Sequence, residues 1–252
     1  NTTSTINKAP ITVTGLSVTT KEYDGGRVAT ITGTPTIGEG FYTGDTATIT
    51  GAPSTGTFAS ANVGENINVD IANTLAISNS NYYVSTVAGG LTGTITPKTV
   101  TLSASKTYDG NTQLGSTAVT VSTGVGSETL TYRDALASTA NVGTGNYITE
   151  ITLLDGSNGG LASNYQLPTL NSTYAPVTIG KRTVTLIAEK VYDSTTSFSS
   201  LTVDTGVTGQ TLGYSGVTSN DANVATNNKY ISAITLADAT DGSGGLVANY
   251  QL

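Results

Sequence analysis

Lys21-Glu22-Tyr23-Asp24-Gly25 returns as Lys106-Thr107-Tyr108-Asp109-Gly110 and again as Lys190-Val191-Tyr192-Asp193-Ser194. The three tyrosines stand about 84 residues apart. Three further markers keep the same order. Asn62-Val63-Gly64 is answered by Asn141-Val142-Gly143 and Asn223-Val224-Ala225. Asn81-Tyr82 is answered by Asn164-Tyr165-Gln166-Leu167 and Asn249-Tyr250-Gln251-Leu252. Ile95-Thr96-Pro97-Lys98-Thr99-Val100-Thr101-Leu102 matches Ile179-Gly180-Lys181-Arg182-Thr183-Val184-Thr185-Leu186. Four markers in one order predict three tandem copies, each too long for a solenoid coil and about right for a small domain. The expected boundaries are 10–97, 98–180 and 181–252. Residues 1–9 are expected to be the terminal strand of a preceding repeat, or a donor strand.

Within a copy, short alternating runs follow one another. In the middle copy these are 99–103, 118–122, 129–132, 147–153, 164–167 and 174–179, separated by Gly, Asn, Asp and Ser clusters. That is the pattern of a sandwich or barrel. Thr and Ser dominate the polar positions, Val and Ile recur among the apolar ones, and β-branched residues fit a pleated, half-buried surface. Only 134–140 reads as a helical turn or two. Tyr82, Tyr165 and Tyr250 each open a late strand just after a turn. This resembles the tyrosine corner of immunoglobulin-like sandwiches, with the ring at the core edge and the hydroxyl on a backbone group. The expected fold is therefore all-β: three tandem Ig-like β-sandwich repeats. The alternative is a β-grasp-like repeat, with its helix ahead of Asn-Val-Gly.

Composition narrows the chemistry. Of 252 residues only 11% are charged, and the formal net charge is −7. An acidic chain with no basic run has no electrostatic reason to meet nucleic acid. No apolar stretch is long enough to span a bilayer as a helix, so no membrane insertion is expected. There is no Cys, His, Met or Trp. Disulfides, thiolate metal sites and imidazole-based triads are therefore excluded. A glycosidase would need only two carboxylates in a cleft, but no unrepeated carboxylate pair stands out. The chain is expected not to be an enzyme.

The marker set resembles the YDG and related MBG repeats of large bacterial surface and secreted adhesins, including filamentous-haemagglutinin-like exoproteins. Lys-x-Tyr-Asp-Gly after a Thr-Val-Thr-Leu strand, then Asn-Val-Gly, then Asn-Tyr-x-Leu carries the resemblance through all three copies. Copy three departs from it at Ser194 and Ala225, so neither glycine position is expected to require φ > 0. The resemblance implies an extracellular or cell-surface stalk that projects an adhesive tip. It implies no catalytic residues. The expected partners are neighbouring repeats of the same protein, or identical subunits head to tail. The competing function is a carbohydrate- or protein-binding adhesive module.

Several residues admit two readings. Tyr23-Asp24, Tyr108-Asp109 and Tyr192-Asp193 could grip a sugar, but a turn with Tyr in the core and Asp on backbone N–H groups explains three recurrences more simply. The Asp155–Gly160 and Asp238–Gly242 turns could offer oxygens to calcium, yet lack the spacing and distal Glu of a calcium loop. No cofactor is expected. Lys21, Lys106 and Lys190 could form isopeptide bonds if buried beside a carboxyl of raised pKa.

The ends are out of phase with the repeat. Copy three stops at Leu252, after its tetrapeptide, where copy two continues into 174–179. Thr5-Ile6-Asn7-Lys8 matches the tail of a copy. Two arrangements fit: an excerpt of a longer array, or a donor strand, with Thr5 and Ile6 completing copy three of the next chain.

Overall fold

In the computed structural model, residues 3–224 and 227–252 are described. Among these residues the regular structure is strand, with two single-turn 3-10 helices at Ala162–Asn164 and Val247–Asn249. No helix among the described residues is long and apolar enough to cross a membrane.

The chain forms two compact units, and they do not follow the sequence period. The first holds Asn1–Val100, Thr123–Leu130 and Asp155–Gln166; the second holds the remainder. In the first unit a seven-stranded sheet runs in the order Lys21–Glu22, Thr92–Thr96, Gly64–Ile71, Thr55–Phe58, Val28–Ile37, Ala9–Val18, Tyr82–Val87. The single run 9–22 supplies both the first and the sixth strand, so the sheet curls back upon one stretch of chain. A bulge between Thr14 and Leu16 opens that curl. It sits where Gly15 and Gly33 face each other at φ 85° and 96°. A Cβ on Gly33 would lie 2.1 Å from the Gly15 carbonyl oxygen, so only glycine permits the approach. Alternation does the rest: Ile11 and Val13 are buried while Pro10 is exposed.

In the second unit, Thr101–Thr107 lies between Val119–Ser122, antiparallel, and Val177–Gly180, parallel. Thr185–Ile187 pairs antiparallel with Thr202–Asp204, and Gly213–Ser219 with Ile231–Ala237. One pairing recurs three times. The strand after Asn-Tyr lies parallel to the opening strand, with Ala9 opposite Tyr82, Lys98 opposite Tyr165 and Arg182 opposite Tyr250.

The helical reading of 134–140 is overturned, because Leu130–Ala137 is a strand. Asp134 sits at φ 55°, outside the helical region. Backbone bonds from Leu114 to Ala135 and from Ala137 to Thr112 hold the segment extended. Among the described residues no α-helix precedes Asn62, Asn141 or Asn223 either; the strands Thr55–Phe58, Leu130–Ala137 and Gly213–Ser219 do. The β-grasp alternative loses its helix.

Candidate functional site

Each Lys-x-x-Asp forms one polar knot. Lys106 Nζ lies 2.6 Å from Asp109 Oδ1 and donates to the carbonyls of Asn111 and Gln113 at 2.8 and 2.9 Å. Lys21 does the same with Asp24, Gly26 and Val28, and Lys190 with Asp193, Thr195 and Ser197. The Asp carboxylate then accepts the backbone N–H two residues on, from Gly26, Asn111 and Thr195. An Asx turn and a lysine staple thus fix the turn from both sides.

The knot depresses the carboxyls of Asp24 and Asp193. Partial burial pushes Asp24 up, but the bonds from Lys21 and the Gly26 N–H outweigh it and lower the pKa. Asp193 falls to about 2, first through Lys190 and then through Thr195. An isopeptide bond needs the reverse, a carboxyl of raised pKa.

The expectation about glycine is corrected at the first of its two positions; at the second, Gly64 and Gly143 do not adopt positive φ, and residue 225 lies outside the described residues. Gly25, Gly110 and Ser194 all lie in the left-handed region, at φ 77°, 82° and 64°. Position 194 demands positive φ although it carries serine, because Asp193 and Lys190 hold its neighbours.

The turn aims its tyrosine at a late tyrosine. Tyr23 meets Tyr165 edge to face, centroids 5.4 Å apart at 77°. The two phenols donate to Glu128, Tyr23 to Oε1 at 2.8 Å and Tyr165 to Oε2 at 2.7 Å. Burial, and then the Glu128 bond, raises both phenolic pKa values. Beside them Asn164, 1% exposed, accepts the Val63 N–H at 3.0 Å and donates to Asn62 Oδ1 at 3.0 Å. Asp155 prepares this arrangement by accepting the N–H of Ala162, the first residue of the 3-10 turn that ends at Asn164.

The second unit repeats the arrangement. Tyr108 and Tyr250 stand 5.3 Å apart at 79°, and both donate to Gln210 Oε1, at 3.0 and 2.5 Å. A carboxylate receives its two phenols on separate oxygens; an amide, with one oxygen, receives both on its two lone pairs. Asn249 accepts the Val142 N–H at 2.8 Å and donates to Asn141 Oδ1 at 2.8 Å. Asp238 accepts the N–H of Val247, as Asp155 does that of Ala162.

The sequence markers are thus brought together, but about 100 or more residues apart and never within one expected repeat. Tyr23 and Val63 meet Tyr165 and Asn164, and Tyr108 and Val142 meet Tyr250 and Asn249. The late tyrosines are buried as a tyrosine corner requires, yet their hydroxyls donate to side chains rather than to backbone. Tyr82 donates to the Asp45 carboxylate and packs against Phe41 at 4.7 Å. Tyr192 is 54% exposed, against the buried Tyr23 and Tyr108. Thr5 and Ile6 are exposed and lie outside any strand.

Glu128 and Gln210 escaped the sequence reading. The signal was available: Thr123-Gly124-Val125-Gly126-Ser127-Glu128-Thr129-Leu130 matches Thr205-Gly206-Val207-Thr208-Gly209-Gln210-Thr211-Leu212. The buried Thr123 and Thr205 hydroxyls fold these loops by donating to the Glu128 and Gln210 carbonyls. Among the described residues no group of three or more His, Cys, Asp or Glu could hold a metal ion. The Asp241 carboxylate of the candidate calcium turn instead accepts from Thr211 and Ser243, in that order of effect, which lowers its pKa to about 2.

No curated protein matches the chain, and no solved structure does. One family model, the YDG domain, matches residues 7–89 and again 92–173. The chain belongs to the YDG domain family.

Proposed function

We propose that the chain is a mechanical repeat region of an extracellular bacterial adhesin or filament, built from three copies of an Ig-like sandwich and without catalytic activity. Its work is reach and resistance to bending. The observation that carries this reading is Glu128, which holds Tyr23 of the first YDG match and Tyr165 of the second at once. A side chain clamped between successive copies removes the hinge that a flexible linker would supply. The residues joining copies are few, Pro97-Lys98 and Gly180-Lys181, and the strands Lys98–Thr99 and Arg182–Thr183 follow at once. Family membership supports the third copy less directly than the first two, because its match ends at 173. What supports the third copy is the Lys190 knot and the Tyr108–Tyr250 pair, which reproduce those of the matched segments.

Small-angle scattering of the dilute chain tests the reading. A stiff particle with one maximum dimension, unchanged between low and high salt, is expected. A broad distribution typical of beads on a string would contradict it. A second reading, an adhesive module, draws on the exposed Tyr42 and Tyr83; saturable binding of a glycan that is lost in Tyr83→Ala would favour it.

A further inference from the structure

Two asparagines stand two residues ahead of a serine or threonine with no proline between: Asn1 in Asn1-Thr2-Thr3 and Asn171 in Asn171-Ser172-Thr173. Asn-x-Ser/Thr is the acceptor pattern for N-linked sugar, and it has chemical meaning only where amide and hydroxyl are both within an enzyme's reach. Asn1 lies outside the described residues. Asn171 lies in a turn in the middle of the chain, just ahead of the strand Val177–Gly180.

That turn is held from its base. The Asn171 carbonyl accepts the Ala175 N–H at 2.9 Å, and the Ala175 carbonyl accepts the Ile148 N–H at 2.9 Å. Ala175 and Ile148 are both fully buried. Val177 donates its N–H to the Asn146 carbonyl at 2.9 Å. Above this base Ser172 and Thr173 are exposed, and Tyr174 is 59% exposed. The tripeptide is therefore presented on the surface of the folded chain.

The Asn171 side chain is set for the reaction. Its Oδ1 accepts two backbone N–H groups, from Thr173 at 2.9 Å and from Tyr174 at 3.0 Å. These donors sit where negative charge builds as the amide nitrogen loses a proton. Nδ2 donates to no acceptor among the described residues, and no buried side-chain nitrogen or oxygen lacks a partner there, so Nδ2 faces solvent. Two other turns share part of this geometry. Asn79 Oδ1 accepts the Asn81 N–H, and Asn111 Oδ1 accepts the Gln113 N–H. Neither has a hydroxyl two residues on.

We propose that Asn171, in its folded turn, is a site of N-linked glycosylation and takes its sugar from a donor activated as a diphosphate ester. The Nδ2 lone pair attacks the anomeric carbon of the donor. The carbon–oxygen bond to the diphosphate breaks, and its electron pair leaves with the diphosphate. One Nδ2 proton passes to a base of the transferase, so the transfer needs no oxidant or reductant. The Thr173 hydroxyl is the group by which the transferase selects this asparagine. The proposal goes beyond the stalk reading and draws nothing from stiffness, so the scattering test and the test below can fail separately.

The purified chain is offered two donors, each with an enzyme that uses it. One is UDP-glucose with a soluble N-glycosyltransferase. The other is a lipid-diphosphate oligosaccharide with a membrane oligosaccharyltransferase. Mass spectrometry of the peptide that holds Asn171 reads the product. Sugar on Asn171 of the folded chain in at least one arm is the expected result. A single hexose assigns the donor to the nucleotide-linked kind and a whole oligosaccharide to the lipid-linked kind. Asn171→Gln and Thr173→Ala should each abolish the transfer, and Thr173→Ser should keep it. Thr173→Ala retains the backbone N–H that bonds Oδ1, so its loss of transfer reports the hydroxyl and not the turn. No sugar at Asn171 in either arm overturns the proposal. Transfer to a synthetic peptide of residues 167–177 but not to the folded chain overturns it too, as does transfer that Thr173→Ala leaves intact.

Discussion

The phenols of Tyr23 and Tyr165 donate to opposite oxygens of one carboxylate, Glu128, across the boundary between two YDG matches. The acceptor belongs to the later copy, so the phenol of the earlier copy's motif tyrosine is satisfied by its neighbour. Stability at this site is therefore shared between copies.

Glu128→Ala should leave two buried phenols without an acceptor and cost about 2–4 kcal/mol, at roughly 1–3 kcal/mol for each orphaned group. Glu128→Gln should cost about 1 kcal/mol or less, because Gln210 already serves two phenols through one oxygen. Denaturant titration of both variants checks the contrast, and equal losses would contradict it.

Asn164→Ala and Asn249→Ala each remove a buried amide with two partners across copies. Each should lower stability by about 2 kcal/mol. Asn81→Ala, at the exposed equivalent, should change the dilute chain by less than about 0.5 kcal/mol. Thermal unfolding of the three variants at low concentration makes the comparison.

Ser194→Gly should stabilise the chain by about 1 kcal/mol, since the L side chain is held at φ 64°. Gly110→Ala should do the opposite. Its φ is 82°, and the added Cβ would lie 2.9 Å from Val207 Cγ1. Opposite shifts in melting temperature are the expected outcome.

The acid limb of stability should depend on Asp193, whose carboxyl is lowered to about 2 by Lys190 and then Thr195. A depressed folded pKa contributes stability above the unfolded value of about 3.9 and loses it as pH falls toward the folded one. Asp193→Asn should therefore flatten the profile between those values and leave its alkaline side unchanged. The tyrosines act on the other side. Tyr23 and Tyr165 have raised pKa values, through burial and then Glu128. Their contribution is complete below about pH 10, the unfolded value, and declines above it. Equilibrium unfolding of Tyr165→Phe should show a shallower alkaline decline.

What was legible in the sequence was local. Strands such as Val119–Ser122 and Ile148–Asp155 follow from alternation and turn clusters. The knot residues follow from repetition, because Lys, Tyr and Asp recur at fixed spacing. Repetition shows that Tyr82, Tyr165 and Tyr250 are equivalent, but not which of them meets Tyr23. Tyr82 in the same copy fits the pattern as well as Tyr165 in the next. Glu128 was hidden because its counterpart is Gln210, and a search for identical residues passes over two acceptors that perform one task. The strand through 134–137 was missed because Arg133-Asp134-Ala135-Leu136-Ala137 favours a helix locally, while pairing with residues 112–114 decides otherwise. Ser194 misled through a sound rule: the substituted glycine is normally dispensable, yet here the turn is held by bonds on both sides.

Hydrogen exchange at the Val63 amide tests the interlock most directly. Its N–H is bonded to Asn164 Oδ1, 101 residues away in the following copy. Asn164→Ala should speed exchange at Val63 markedly while leaving Val142, which is bonded to Asn249, at its original rate. Exchange at Val63 that is fast in the unmodified chain, or that Asn164→Ala leaves unchanged, would contradict the account.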